Sequence, residues 1–129
     1  MKLLLDTHVW LWWLGDDPRL SRPAREAVEA GGEIGVSAMS VWELATLERL
    51  GRLRLVPDIR TWVRRALARA DVTPMAITTE MALAAGSLLP PFPGDPADRI
   101  IYATALLTDA RLVSGDRRIH RHDPERVVW

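Results

Sequence analysis

Four acidic residues, Asp6, Glu43, Asp98 and Asp116, stand where a hydrolytic metal centre would need them. They are far apart in the chain, yet each falls at or near the end of an expected strand or early in a helix. Asp6 closes the apolar run L-L-L, and Glu43 lies about one and a half turns into the helix after the second strand. Asp98 opens the helix behind a proline-rich loop, and Asp116 comes shortly after the strand R-L-V. In an open parallel sheet, such positions share the crevice beyond the carboxyl ends of the strands. Carboxylates gathered there repel one another and raise one another's pKa. A hard divalent cation such as Mg²⁺ or Mn²⁺ turns that repulsion into binding. Each acid also has an ordinary reading. Asp6 and Asp98 are good helix N-caps, Asp116 suits a turn, and Glu43 suits a helix surface. Only their shared place after successive β-elements favours one site.

The elements that must position these residues alternate as in an α/β domain. Strands are expected over 2–5, 33–36, 72–77 and 111–113, with a last one over 126–129. Pro74 places the third at a sheet edge or shortens it, because proline cannot donate to a ladder. Helices are expected over 9–14, from a Ser21 cap to 30, from a Ser37 cap to 50, from an Asp58 cap to 70, over 79–88, and over 98–107. The loop P-P-F-P-G-D-P is expected to be non-helical throughout. The fold class is thus α/β, with a central, mostly parallel sheet flanked by helices and a single domain over 1–129.

Composition narrows the class further. Hydrophobic residues make up 48% and charged residues 26%, which excludes disorder. The chain has no cysteine, so neither disulfides nor a thiolate metal site holds the fold. The apolar stretch 9–14 is too short to cross a bilayer, and no signal peptide pattern follows it, so a cytoplasmic protein with no membrane partner is expected. Seventeen basic residues balance seventeen acidic ones, which argues against a broad basic surface for nucleic acid. The distribution is uneven, however. Residues 49–69 hold seven arginines against the single acid Asp58, either a solvated helix face or a phosphate-contacting patch.

Four segments in order resemble the PIN domain family, and more narrowly the VapC toxins of bacterial toxin–antitoxin pairs. L-L-D-T-H-V-W-L-W-W-L resembles the opening of one VapC-like subgroup. S-V-W-E-L is similar to the helix carrying the family's glutamate. D-P-A-D-R-I-I-Y-A-T-A resembles its D-P-x-D-R segment, and V-S-G-D-R-R-I its terminal T-x-D-x-x-[IF]. The resemblance implies a PIN-like fold and an Mg²⁺- or Mn²⁺-dependent endoribonuclease leaving 5′-phosphate and 3′-hydroxyl ends. It puts Asp6, Glu43, Asp98 and Asp116 in the catalytic and metal-binding quartet, Asp6 and Asp98 foremost. Ser114 stands where the family often has threonine and keeps the supporting hydroxyl. Asp95 matches the first acid of its segment and is expected to shape the loop. Arg99 is expected to pair with a carboxylate or to contact a phosphate.

Six tryptophans against one tyrosine and one phenylalanine are a marked bias. Core packing accounts for part of V-W-L-W-W-L. The remainder, around Trp10, Trp12 and Trp13, suggests a hydrophobic groove that, by the resemblance, receives an antitoxin or a second copy in a homodimer. His8 is read as a helix-start residue beside the acids, and His120 and His122 as solvated.

Two other readings compete. A haloacid-dehalogenase-type phosphatase also places aspartate after its first strand, but its motifs need acids at positions 8 and 120, where this chain has histidine. A non-toxin PIN nuclease or a catalytically silent PIN-like binding module would share the fold. The silent module has no reason to keep four mutually repelling carboxylates.

Overall fold

The computed structural model describes residues 2–129. Its centre is a sheet of β1 (Leu3–Leu5), β2 (Ile34–Ser37), β3 (Val72–Met75), β4 (Arg111–Val113) and β5 (Val127–Val128), in the order β3-β2-β1-β4-β5. Every pairing is parallel. Pro74 lies on β3, an edge strand, as its missing N–H requires.

Seven helices join the strands: α1 (Thr7–Leu14), α2 (Arg22–Glu29), α3 (Ala38–Arg49), α4 (Ile59–Leu67), α5 (Thr79–Ser87), α6 (Pro96–Leu107) and α7 (Arg117–His122). Each begins at a serine, threonine or aspartate whose side chain accepts from a backbone N–H of the first turn: Asp6, Ser21, Ser37, Asp58, Thr78, Asp95 and Asp116. Three starts differ from the sequence reading. Helix α1 begins at Thr7, because Asp6 itself is the cap. Helix α6 begins at Pro96 rather than Asp98, so the proline loop does not stay non-helical to its end. Proline lacks an N–H that the first helical position would leave unpaired anyway, so Pro96 fits there, and Asp95 rather than Asp98 is the cap. Helix α7 was not expected at all; its short polar run R-R-I-H-R-H buries only Ile119.

The strand L-L-L explains why the sheet is covered on both faces. Side chains alternate along a strand, so Leu3 and Leu5 join a core with Val9, Trp10, Leu44 and Ala66, while Leu4 joins a second core with Ile101, Tyr102, Leu112 and Ile119. All three leucines are buried. Trp10 is fully buried and meets Trp62 edge-on at 5.1 Å, which corrects its assignment to an open groove. Trp12 and Trp13 are half-buried, each covered by a guanidinium, Arg19 and Arg69 respectively. No helix among the described residues is long and apolar enough to cross a membrane.

Candidate metal centre

Strands β1, β2 and β4 run side by side, so the segments leaving their carboxyl ends deliver Asp6, the α3 helix and the Ser114–Asp116 loop to one edge. Asp6 is 4% exposed, and both of its oxygens are held. Oδ1 accepts from the Thr7 amide at 2.8 Å and Oδ2 from the Ser114 hydroxyl at 2.7 Å. Capping and site-building are therefore not alternatives for this residue. The Ser114 hydroxyl, fully buried, also accepts from the Asp116 amide at 3.1 Å. One serine thus ties the end of β1 to the loop after β4.

Glu43 reaches the same edge from α3. Its Oε1 accepts from the Thr7 hydroxyl, which also lies 2.9 Å from the Ser40 hydroxyl. Ser40 precedes Glu43 by three residues and so shares its helix face. Burial raises the Glu43 pKa against the Thr7 hydrogen bond, and the charges of Asp6 and Asp95 raise it further.

Asp98 sits in the first turn of α6. Its amide donates to Asp95 Oδ1 at 3.1 Å, but its carboxylate accepts no hydrogen bond from any described residue. Burial, then the charges of Asp6, Asp95, Asp116 and Glu43, push it up to about 7. Asp116 faces the opposite balance. Burial raises it, but the Arg118 side chain and the Arg118 and Ile119 amides outweigh that and hold it below the ordinary value. Arg118 spans the rim, 3.2 Å from Asp116 and 3.8 Å from Asp98, on an exposed side chain.

The donor set is all oxygen, four carboxylates with a supporting hydroxyl, and suits a hard divalent cation rather than zinc or copper. Among the described residues no three acidic or histidine side chains stand close enough together, as placed, to hold a metal ion. Carboxylates with one arginine among them repel, and Asp6 and Glu43 are meanwhile held in place by hydroxyls.

Asp95 caps α6 and adds its charge to the site. Arg99 departs from expectation: its guanidinium donates to the backbone carbonyls of Ala85 at 3.0 Å, Pro93 at 2.9 Å and Leu88, binding the end of α5 to the proline loop. Among the described residues it pairs with no carboxylate, because those carbonyls lie within its reach. Thr7, Ser40 and Arg118 were missed by the sequence reading. No local pattern marks Thr7 and Ser40, since their partners lie on another element.

The raised Asp98 pKa has a thermodynamic consequence. Unfolded, the group titrates near its ordinary 3.8; folded, near about 7. Between these values the folded chain keeps a proton the unfolded chain has released, so stability falls as pH rises through this window. The thermal midpoint of the metal-free protein is expected to drop between about pH 4 and about pH 7, and Asp98→Asn should flatten that slope. Scanning calorimetry on both proteins checks this; parallel slopes would assign the effect to another group.

The model of the PIN domain family matches residues 3–124. The chain belongs to the PIN domain family. It is similar to Ribonuclease VapC22 of Mycobacterium tuberculosis (strain ATCC 25618 / H37Rv), 42% identical over 129 residues and covering 98% of each chain. That likeness sets this PIN domain among the VapC-like members. Its fold is similar to a chain of a toxin–antitoxin complex from Klebsiella pneumoniae, with TM-score 0.70, 22% identity and coverage of 98% of this chain and 96% of that one. A chain of VapBC-1 from nontypeable Haemophilus influenzae matches with TM-score 0.69, 18% identity and the same coverage. At those identities the solved structures show the shared fold.

Proposed function

We propose that this PIN domain is an Mg²⁺- or Mn²⁺-dependent endoribonuclease of the VapC toxin kind, hydrolysing RNA phosphodiester bonds and neutralised by a cognate antitoxin. One observation carries the reading: Asp6, Glu43, Asp98 and Asp116, from separate parts of the chain, lie near enough at one half-buried edge that, after burial, the charges of the other acids help push Asp98 up to about 7. A structural role alone would not favour such mutual repulsion. A likeness to a protein named as a ribonuclease, over nearly the whole chain, supports the same substrate class.

Asp6 and Asp98 are the residues that would hold the ion. Glu43 and Asp116 would bind a second ion or orient the attacking water. A bound cation would polarise the phosphoryl oxygen and lower the pKa of the attacking water. Ser114 holds Asp6 in place, and Thr7 does the same for Glu43. Arg118, on its exposed arm, is free to leave the two aspartates when a cation replaces its charge, and then to meet a phosphate.

The antitoxin is supported by the similarity to chains solved within toxin–antitoxin complexes. The surface best suited to it is an apolar groove of about 330 Å³ between α3 and α4, lined by Val41, Ala45, Ile59 and Val63 and rimmed by Arg60 and Arg64. Two residues of the arginine-rich run therefore border an apolar seat, a combination that fits an acidic amphipathic segment.

The test is RNA cleavage by the purified protein. Mg²⁺ or Mn²⁺ should support cutting and EDTA should abolish it. Undiminished cleavage in EDTA would remove the metal from the reading, and no cleavage with either ion would favour a silent binding module.

A further inference from the structure

The acids account for most of the polar edge but leave His8 unexplained. Its ring is held from three sides. Nε2 accepts from the Gly115 amide at 2.8 Å, and the ring meets Trp12 edge-on at 5.0 Å and Trp129 at 5.9 Å. Trp12 and Trp129 in turn lie 6.0 Å apart, closing a three-ring cluster over the end of the sheet. Gly115 permits this packing. A Cβ there would come within 3.0 Å of Trp129 and 3.2 Å of His8 Nε2, tighter than nearly all real contacts.

The hydrogen bond fixes the tautomer. A nitrogen that accepts an N–H cannot carry a proton itself, so a neutral ring bears its proton on Nδ1. Nδ1 faces Asp6 Oδ2 at 3.7 Å, the same oxygen that accepts from Ser114. The imidazole therefore stands between the carboxylate at the end of β1 and the loop leading to Asp116. Ser114 bridges the same two elements from inside, and His8 bridges them from the rim.

We propose that His8 is a positioning residue: its neutral ring clamps the Gly115 amide and turns Nδ1–H toward Asp6. This ties Asp6 to the loop that carries Asp116. Groups that pack behind a metal-binding carboxylate orient it, as His8 does 3.7 Å from Asp6, and losing one commonly weakens metal affinity by about 10- to 100-fold. The Thr7 amide holds Oδ1 and the Ser114 hydroxyl holds Oδ2, so each oxygen keeps a lone pair for a cation, with the His8 ring packed beside Oδ2. This inference rests on the proposed metal site, and the test separates the two.

The experiment is Mn²⁺ binding by isothermal titration calorimetry, with no RNA present, on wild type, H8A, H8Q, H8N and D6N. Glutamine places an acceptor oxygen near the position of Nε2 and can hold the Gly115 amide, whereas asparagine is too short to reach it. H8Q should bind Mn²⁺ within about 3-fold of wild type, while H8A and H8N should weaken binding by about 10-fold or more. D6N should bind far more weakly than any of them. G115A, which crowds the same ring, should behave like H8A. If D6N loses Mn²⁺ while H8A and H8N keep wild-type affinity, the role of His8 is overturned and the metal site stands. If D6N binds as wild type does, the metal reading itself fails. If H8A does not fold, the glutamine and asparagine variants still decide, because equal affinities for those two overturn the clamp.

Discussion

Asp98→Asn should lower metal-supported RNA cleavage by at least about 10²-fold, and the protein should not become less stable. Asparagine keeps the shape of aspartate but carries no charge. It removes a ligand for the cation and also a member of a repelling group. Asp98 makes no hydrogen bond through its carboxylate, so the replacement breaks none. Its pKa of about 7 shows that the charged form is disfavoured where it stands. The metal-free variant should therefore melt at or above the wild-type temperature near pH 8, where wild-type Asp98 is mostly ionised. Asp6→Asn should lose activity to a similar degree. Activity loss without instability is the pattern of a functional carboxylate; a variant as active as wild type would sink the assignment. Initial cleavage rates on a labelled RNA, together with calorimetric melting, supply both halves.

Trp10→Ala is the substitution expected to damage the fold most. The side chain is fully buried and packs edge-on against Trp62, and it sits among Leu3, Leu5, Val9 and Leu44. Truncating an aromatic of that size leaves a cavity that the helices cannot close, a loss of about 3–5 kcal/mol. Trp10→Phe should lose much less, about 1–2 kcal/mol, because it keeps most of the apolar volume. It also removes the indole N–H, which is buried without a hydrogen-bond partner. Urea unfolding resolves the three proteins, and a mild alanine variant would mean the core can collapse around α1. The position also matters to the site. Trp10 seats the helix that starts at Asp6, Thr7 and His8, so loosening it should displace all three.

Asp6, Glu43 and Asp116 were legible as edge residues because each follows a strand signal, and chain order alone puts such residues at the carboxyl edge of a parallel sheet, whereas Asp98 comes after a helix and a proline loop. Pro74 at an edge strand was legible for a similarly local reason, since it cannot donate wherever it is placed. The caps Ser21, Ser37 and Asp58 were legible because capping needs only the next few residues. The start of α6 was misread because Asp95 and Asp98 are both acceptable caps. Pro96 between them looked like a helix breaker, although it fits the first helical position.

Local residue chemistry thus determined the alternation of strands and helices, the apolar faces and the order in which acids leave the sheet. The tertiary structure alone decided which partners those acids meet. Ser114 lies 108 residues from Asp6, and Thr7 lies 36 residues from Glu43, so no window of sequence contains either pair. It also decided that Arg99 holds carbonyls, that Trp10 is core and that His8 faces Gly115. Side-chain hydrogen bonds and burial depend on distances set only when the whole sheet has closed, whereas periodicity and capping act within a turn or two of the chain.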